Sequence, residues 1–143
     1  MKISTRGRYA TRMLLDLAQH TQSGFIALKD IAERQDISKK YLEQIIPLLR
    51  KAGILRTNRG FQGGYQLSKS PHEINIAEIL RVTEGGLAPV SCLEDSGSSC
   101  ARSADCPTLP VWEGLQRVMA EYLESISLAD LLAQATKGDD YSI

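Results

Sequence analysis

The stretch Asp36-Ile37-Ser38-Lys39-Lys40-Tyr41-Leu42-Glu43-Gln44-Ile45-Ile46-Pro47-Leu48-Leu49-Arg50-Lys51-Ala52-Gly53, followed at once by Ile54-Leu55-Arg56-Thr57-Asn58-Arg59-Gly60-Phe61-Gln62-Gly63-Gly64-Tyr65-Gln66-Leu67-Ser68, decides the fold. Ser38 carries an N-cap side chain, and Leu42, Ile45, Ile46 and Leu49 recur at helical spacing. A helix is therefore expected from residue 38 to about residue 51, with those four side chains inward. Gly53 stands where a left-handed C-terminal residue belongs. Pro47 removes one backbone donor inside the helix, which predicts a bend between an exposed first half and a packed second half. Beyond it, residues 54–57 and 65–68 form two short alternating segments around a glycine-rich, arginine-bearing loop, the pattern of a β-hairpin with a long tip.

Working outward, residues 28–35 form a shorter helix with Leu28, Ile31 and Ala32 inward, and residues 36–38 make a tight turn into the next helix. This is a helix-turn-helix pattern, and with the hairpin behind it the combination is a winged helix. Residues 8–20 place Tyr9, Met13, Leu14 and Leu17 on one helical stripe, with Arg12 and Asp16 off it. Residues 76–84 give another short helix, which Gly85-Gly86 ends. After Pro107 and Pro110, residues Val111, Leu115, Val118, Met119, Tyr122, Leu123 and Ile126 follow one another at spacings of mostly three and four. Such a seam packs within a subunit or zips against its own copy. Ser127-Leu128-Ala129-Asp130 has the form of a capping box and starts a last short helix, and the polar tail from Lys137 is expected to be loose.

The expected fold is mainly α with a small β-hairpin wing: a winged helix-turn-helix domain at 1–84, a cysteine-bearing loop at 85–107, and a long dimerisation helix, final helix and tail at 108–143. The formal net charge of zero conceals an asymmetry. Residues 1–69 carry 13 Lys and Arg against 5 Asp and Glu, and residues 70–143 carry 4 against 12. A basic end of this kind suits nucleic acid and an acidic end suits another task.

The second helix of a helix-turn-helix presents its first turns to the major groove. Here Ser38, Lys39, Lys40 and Tyr41 are candidates for phosphates, Gln44 for bidentate pairing with adenine and Glu43 for accepting from cytosine N4. In the wing, Arg59 beside Gly60 suits a narrow minor groove, where negative potential attracts arginine. Arg6, Arg8 and Arg12 serve equally well as backbone contacts or as plain surface charge.

Cys92, Cys100 and Cys106 are the only cysteines, and all lie in one polar stretch of fifteen residues. Thiols usually sit in cores, and an odd number cannot all pair within one chain. Three soft ligands in one loop point first to an iron–sulfur cluster. Zinc fits less well, because its sites favour close Cys pairs and a fourth Cys or His. A metal-free thiol switch stays open. His20 and His72 read as surface residues, and Trp112 as core or interface. No apolar run approaches the roughly 18 residues of a membrane span, and the N-terminus lacks an apolar signal core, so a cytoplasmic protein is expected. No Ser/His/Asp grouping and no phosphate loop on a strand-to-helix turn speak for an enzyme.

Taken together, Arg6-Gly7-Arg8-Tyr9-Ala10, Ser38-x-x-Tyr41-Leu42-Glu43-Gln44, Leu49-Arg50-Lys51-x-Gly53, Arg59-Gly60-x-x-Gly63-Gly64-Tyr65-x-Leu67 and the cysteine loop resemble one family. It is the IscR/NsrR/CymR type of bacterial winged-helix transcription regulators, and the resemblance runs from residue 2 to about residue 132. It implies a homodimer on double-stranded DNA with a near-palindromic operator, acting as a repressor. The cluster-bearing members hold a [2Fe–2S] or [4Fe–4S] cluster on three cysteines that map onto Cys92, Cys100 and Cys106, with [2Fe–2S] favoured. Control by cysteine oxidation or by a partner protein is the alternative. The fourth ligand departs from the pattern. Leu109 stands where the iron–sulfur biogenesis regulators have histidine, and Arg8 where the nitric-oxide-sensing members have an acidic residue. Glu94, Asp95, Asp105, His20, His72, an external thiol or water remain as candidates.

Overall fold

The chain order is α1 (Thr5–Gln19), α2 (Leu28–Gln35), α3 (Lys39–Lys51), β1 (Leu55–Asn58), β2 (Gly64–Leu67), α4 (Ile76–Glu84), α5 (Leu109–Glu124) and α6 (Leu128–Asp140), with 3₁₀ turns at Thr21–Ser23, Pro71–Glu73 and Ser91–Leu93. This computed structural model describes residues 2–61, 63–94 and 100–140, the last four by backbone alone. The fold is the expected one, mainly helical with a two-stranded antiparallel wing. Met13 and Leu14 of α1, Ile31 of α2, Leu42, Ile45 and Leu49 of α3, and Ile79 of α4 are fully buried in one cluster. Each such side chain stabilises the fold by about 1.5–3 kcal/mol relative to exposure.

The turn between α2 and α3 is made by Asp36, which adopts a left-handed conformation at φ 53°, and by the buried Ile37. Asp tolerates this region better than most residues because its short side chain bonds locally. Ser38 then caps α3: its Oγ accepts from the Tyr41 N–H at 3.1 Å. Pro47 does not divide the helix. It sits exposed within an α-helix that continues from Lys39 to Lys51, and buried residues occur on both sides of it. The division in α3 is by face, because the position of the ring on the solvent side leaves the inward stripe intact.

The hairpin pairs Leu55 with Leu67, Arg56 with Gln66, Thr57 with Tyr65 and Asn58 with Gly64. A third segment joins it: Ile26 and Tyr65 exchange backbone hydrogen bonds of 2.8 Å each way. The wing is thereby tied to the residues that lead into α2.

The C-terminal elements return to the same core. Ile76 N–H donates to Ile126 O at 3.0 Å and Leu128 N–H to Ile74 O at 2.9 Å. Leu128 is fully buried beside α1 residues. The expected capping box is present, with Ser127 N–H on Asp130 Oδ2 at 2.9 Å and Asp130 N–H on Ser127 Oγ at 3.1 Å. Hydrogen bonds from the Ser127 backbone and hydroxyl hold the Asp130 carboxyl below its ordinary range. The helix that begins there runs to Asp140, past Lys137, where a loose tail was expected.

Asp16 is the main departure from the expected pattern. It is 1% exposed although it is charged. Arg34 Nε donates to Asp16 Oδ2 at 3.0 Å and Arg34 Nη2 to Oδ1 at 2.7 Å, and Gln35 Nε2 donates to Oδ2 at 3.0 Å. Burial by itself raises this carboxyl, but hydrogen bonds from Arg34 and Gln35 and the charges of Arg34 and His20 outweigh it and hold the group below its ordinary 3.8.

Replacing Arg34 by Met strands a buried carboxylate and is expected to lower the unfolding free energy by about 3 kcal/mol. Asp16→Asn is expected to cost less, about 1–2 kcal/mol, because the freed guanidinium can turn to water. That asymmetry follows from exposures of 37% for Arg34 and 1% for Asp16. Urea unfolding of the two variants checks it, and equal losses would contradict it. The contribution of Asp16 is complete above pH 3.8 and is lost as pH falls through its lower folded-state value.

Candidate nucleic-acid interface and cysteine loop

On α3 the cap and the packing residues leave one face free. Lys39, Lys40, Glu43 and Gln44 are exposed, as is Ser38 before them. Tyr41 is half-buried and stands edge-to-face on Tyr9, with ring centroids 5.3 Å apart and planes at 76°. Its ring braces α3 against α1. The hydroxyl oxygen of Ser38 accepts from the Tyr41 N–H, which leaves its proton to be donated outward.

At the wing, residues 58–61 are exposed, including Arg59 and Gly60. Arg56 Nη2 donates to Gln66 Oε1 across the strands at 3.0 Å, which spends that cation on the hairpin itself. Gly64 is required by close approach: a Cβ there would stand 2.2 Å from the Ile26 carbonyl oxygen. Gly64 therefore permits the third backbone pairing that fixes the wing.

The other arginines divide. Arg12 bonds to Gln35 through its side-chain and backbone oxygens and lies 5.4 Å from the Tyr9 ring centroid. Arg6 Nε donates to Thr83 O at 2.9 Å, and Arg8 Nη2 to Thr5 Oγ1 at 3.2 Å. Beside Arg6, the N–H and hydroxyl of Ser4 both donate to Glu84 Oε1, at 3.0 and 2.7 Å. The start of α1 is thus clamped to the last residue of α4, where the cysteine loop begins. Gly85 closes α4 at φ 79°, a conformation that suits glycine.

All three thiols are free; Cys92 and Cys106 are half-buried and Cys100 is exposed. None belongs to the core cluster. Cys106 Sγ lies 3.3 Å from Thr108 Oγ1. The hydroxyl and then the backbone of Thr108 hold this thiol below its ordinary 9.0. Among the described residues, no three His, Cys, Asp or Glu side chains form a ready metal site. The donor set fits a thiolate-held cluster, since three reduced thiols without a packing role stand on one segment. A cleft of about 250 Å³ at the base of the loop is lined by Glu84, Gly85, Leu93, Glu94 and Gln116 among others. Of the candidate fourth ligands, Glu94 lines this cleft, and Asp105 is exposed. His20 is held at 2.7 Å from Asp16 O, at the end of α1 away from Glu84, about 22 Å of helix distant. Asp95 lies outside the described residues.

Residues 3–134 match the Rrf2 family, described as an iron-dependent transcriptional regulator. The chain belongs to the Rrf2 family. Protein rrf2 of Nitratidesulfovibrio vulgaris is 43% identical over 136 residues, which cover 95% of this chain and 90% of the relative. The structure of T. potens IscR superposes with a TM-score of 0.75 at 42% identity, covering 94% of this chain and 88% of that one. That of CymR, the global cysteine regulator of B. subtilis, superposes with a TM-score of 0.76 at 36% identity, covering 94% and 98%. This Rrf2-family chain is a DNA-binding winged-helix transcription regulator and not an enzyme. No helix among its described residues is long and apolar enough to cross a membrane.

Two structural devices of this family member lay outside the sequence reading: the Asp16 network and the Ile26–Tyr65 pairing. Asp16 falls three residues after Met13 and seven after Tyr9, a helical spacing that marks the inward face in spite of its charge. Gly64→Ala is expected to push β2 from Ile26 and to destabilise the protein by about 1–3 kcal/mol. Thermal unfolding with amide exchange at Tyr65 measures this. Unchanged protection at Tyr65 would contradict the close approach.

Proposed function

We propose that this Rrf2-family regulator is a homodimeric repressor that reads a near-palindromic operator, and that an iron–sulfur cluster on Cys92, Cys100 and Cys106 governs its affinity. Residues 1–84 read DNA, 85–107 hold the cluster and 108–143 contribute to pairing. The observation that carries the DNA reading is the free face of α3, where Lys39, Lys40, Glu43 and Gln44 stand exposed beside a wing bearing exposed Arg59. Ser38, Lys39, Lys40 and Tyr41 take phosphates, while Gln44 and Glu43 select adenine and cytosine. Arg59 and Gly60 enter the adjoining minor groove.

The dimer reading rests on α5, which has no buried residue. Val111, Val118 and Tyr122 are 60%, 59% and 63% exposed, and with Leu115 they follow the spacing of a helical seam. A two-fold axis through such a seam suits half-sites one turn of DNA apart, about 34–36 Å.

The family description as iron-dependent and the likeness to an IscR support the cluster. A [2Fe–2S] form is favoured over [4Fe–4S]. When bound, such a group supplies a redox-labile cross-link among thiolates. The chain's own residues carry the response. Hydrogen bonding from Thr108 holds the Cys106 thiol below its ordinary range, which eases its loss of a proton to a metal. Ordering the loop pulls on Gly85 and Glu84, and Glu84 passes the load to Ser4 and so to α1. From α1 the Asp16–Arg34 bonds lead to α2 and the reading head. The outcome is a shift between dimer geometries.

A second reading keeps the DNA role and assigns control to thiol oxidation. Free thiols, the lowered Cys106 and the likeness to CymR favour it. Strictly anaerobic purification with iron and sulfide assay decides between them: a brown, iron-bearing protein is expected, and a colourless, iron-free one whose operator binding shifts with peroxide would select the second reading. Cys100→Ala is expected to fold and dimerise normally while losing colour, as absorbance and sedimentation report. Arg59→Ala is expected to weaken operator binding and reduce the salt-dependence slope by about one unit. An unaltered slope would argue against a docked wing.

A further inference from the structure

Phe61 stands at the tip of the wing with its side chain entirely in water, at 103% exposure. The other wing apolar residues do the opposite: Leu55 and Leu67 are 5% exposed and anchor the base of the hairpin in the core. Phe61 belongs to no part of that core, so the fold gains nothing from an aromatic ring there. Its neighbours are chosen for slimness. Gly60 precedes it at φ 127°, and at Gly63 a Cβ would stand 2.3 Å from Asn58 O. Among the described residues of the tip, Arg59 and Phe61 are the exposed side chains beside Gly60 and Gly63.

A DNA minor groove is about 6 Å wide, and proteins that enter it combine arginine with an apolar wedge that slips between base steps. We propose that Phe61 is such a wedge: with Arg59 held in the minor groove, the ring inserts against one base step in each half-site, unstacks it partly and kinks the duplex. This rests on the DNA-binding reading of the wing given above. It adds a form of sequence choice that hydrogen bonds do not supply. Pyrimidine–purine steps such as TA and CA unstack most readily, so they are favoured under the wing without a base-edge contact. The geometry also assigns different work to adjacent residues. Arg59 contributes charge and hence salt dependence, whereas Phe61 contributes deformation and hence step preference.

The test uses the full-length protein as purified anaerobically and duplexes that it selects from a random-sequence pool, labelled with 2-aminopurine at the step under the wing and with end dyes for energy transfer. The wild type is expected to raise 2-aminopurine emission and shorten the end-to-end distance. Phe61→Ala is expected to fold with an unchanged melting temperature, to bind about ten-fold more weakly, and to lose the emission, the bend and the TA/CA preference while keeping the salt slope. Phe61→Leu, which retains an apolar wedge, is expected to restore most of the emission and bend. Arg59→Ala is expected to change the salt slope instead. If Phe61→Ala binds with the same emission, bend and step preference as wild type, the ring does not meet the bases and the proposal is overturned, leaving a protein contact as the role of the residue. If the wild type selects no duplex at all, the DNA reading of the wing fails first, and that result is distinct from a normal operator complex without distortion.

Discussion

The buried carboxylate of Asp16 is the constraint on which the packing of the helix-turn-helix depends. Taking a charge out of water costs several kcal/mol, and only paired donors offset it. Here those donors are Arg34 and Gln35 at the end of α2. The pair consequently admits one placement of α2 on α1, since sliding either helix by a turn leaves the carboxylate alone in the core. Apolar packing by itself tolerates such slips far better. Arg12, bonded to Gln35 and lying beside Tyr9, extends the same lock to the ring that braces Tyr41 of α3. The network thus reaches α3 through the ring contact of Tyr9 and Tyr41, while Leu42, Ile45, Ile46 and Leu49 form the buried face beneath it.

The wing is positioned by a different device. A two-stranded hairpin alone is marginal in water. The backbone exchange between Ile26 and Tyr65 supplies a third partner, and it comes from the segment that enters α2. Helix and wing therefore share an anchor, and their relative position does not depend on a flexible joint. The wing and the start of α2 thus move as one unit, which lowers the entropy lost when either is ordered against a partner.

Much of this was legible from residues. The spacing of Leu42, Ile45, Ile46 and Leu49, the cap at Ser38 and the glycine loop led to α3 and the wing within a residue or two. The failures have physical reasons. Pro47 reads as a bend between an exposed first half of α3 and a packed second half, yet Leu42, Ile45 and Ile46 are already buried before it, because the ring lies on the solvent face. Asp16 was placed outside the core because charge suggests water, whereas its partner Arg34 is eighteen residues away and invisible to a local pattern. The polar tail from Lys137 reads as loose, but residues 137–140 continue α6, which is anchored through Leu128; residues 141–143 lie outside the described residues. The three cysteines were identified as a group by composition. Their mutual geometry runs through residues 95–99, which lie outside the described residues.

The clamp between Ser4 and Glu84 has a further consequence for how such a protein changes over generations. The cysteine loop leaves the reading head through Gly85 and Gly86, and α5 starts afresh after Pro107 with no buried residue. Little of the shared core is built from the segment between them. Substitutions at its described residues therefore leave the packing of α1 to α4 largely untouched. The packing of the helix-turn-helix and the composition of the cysteine segment are thereby separate constraints on the chain.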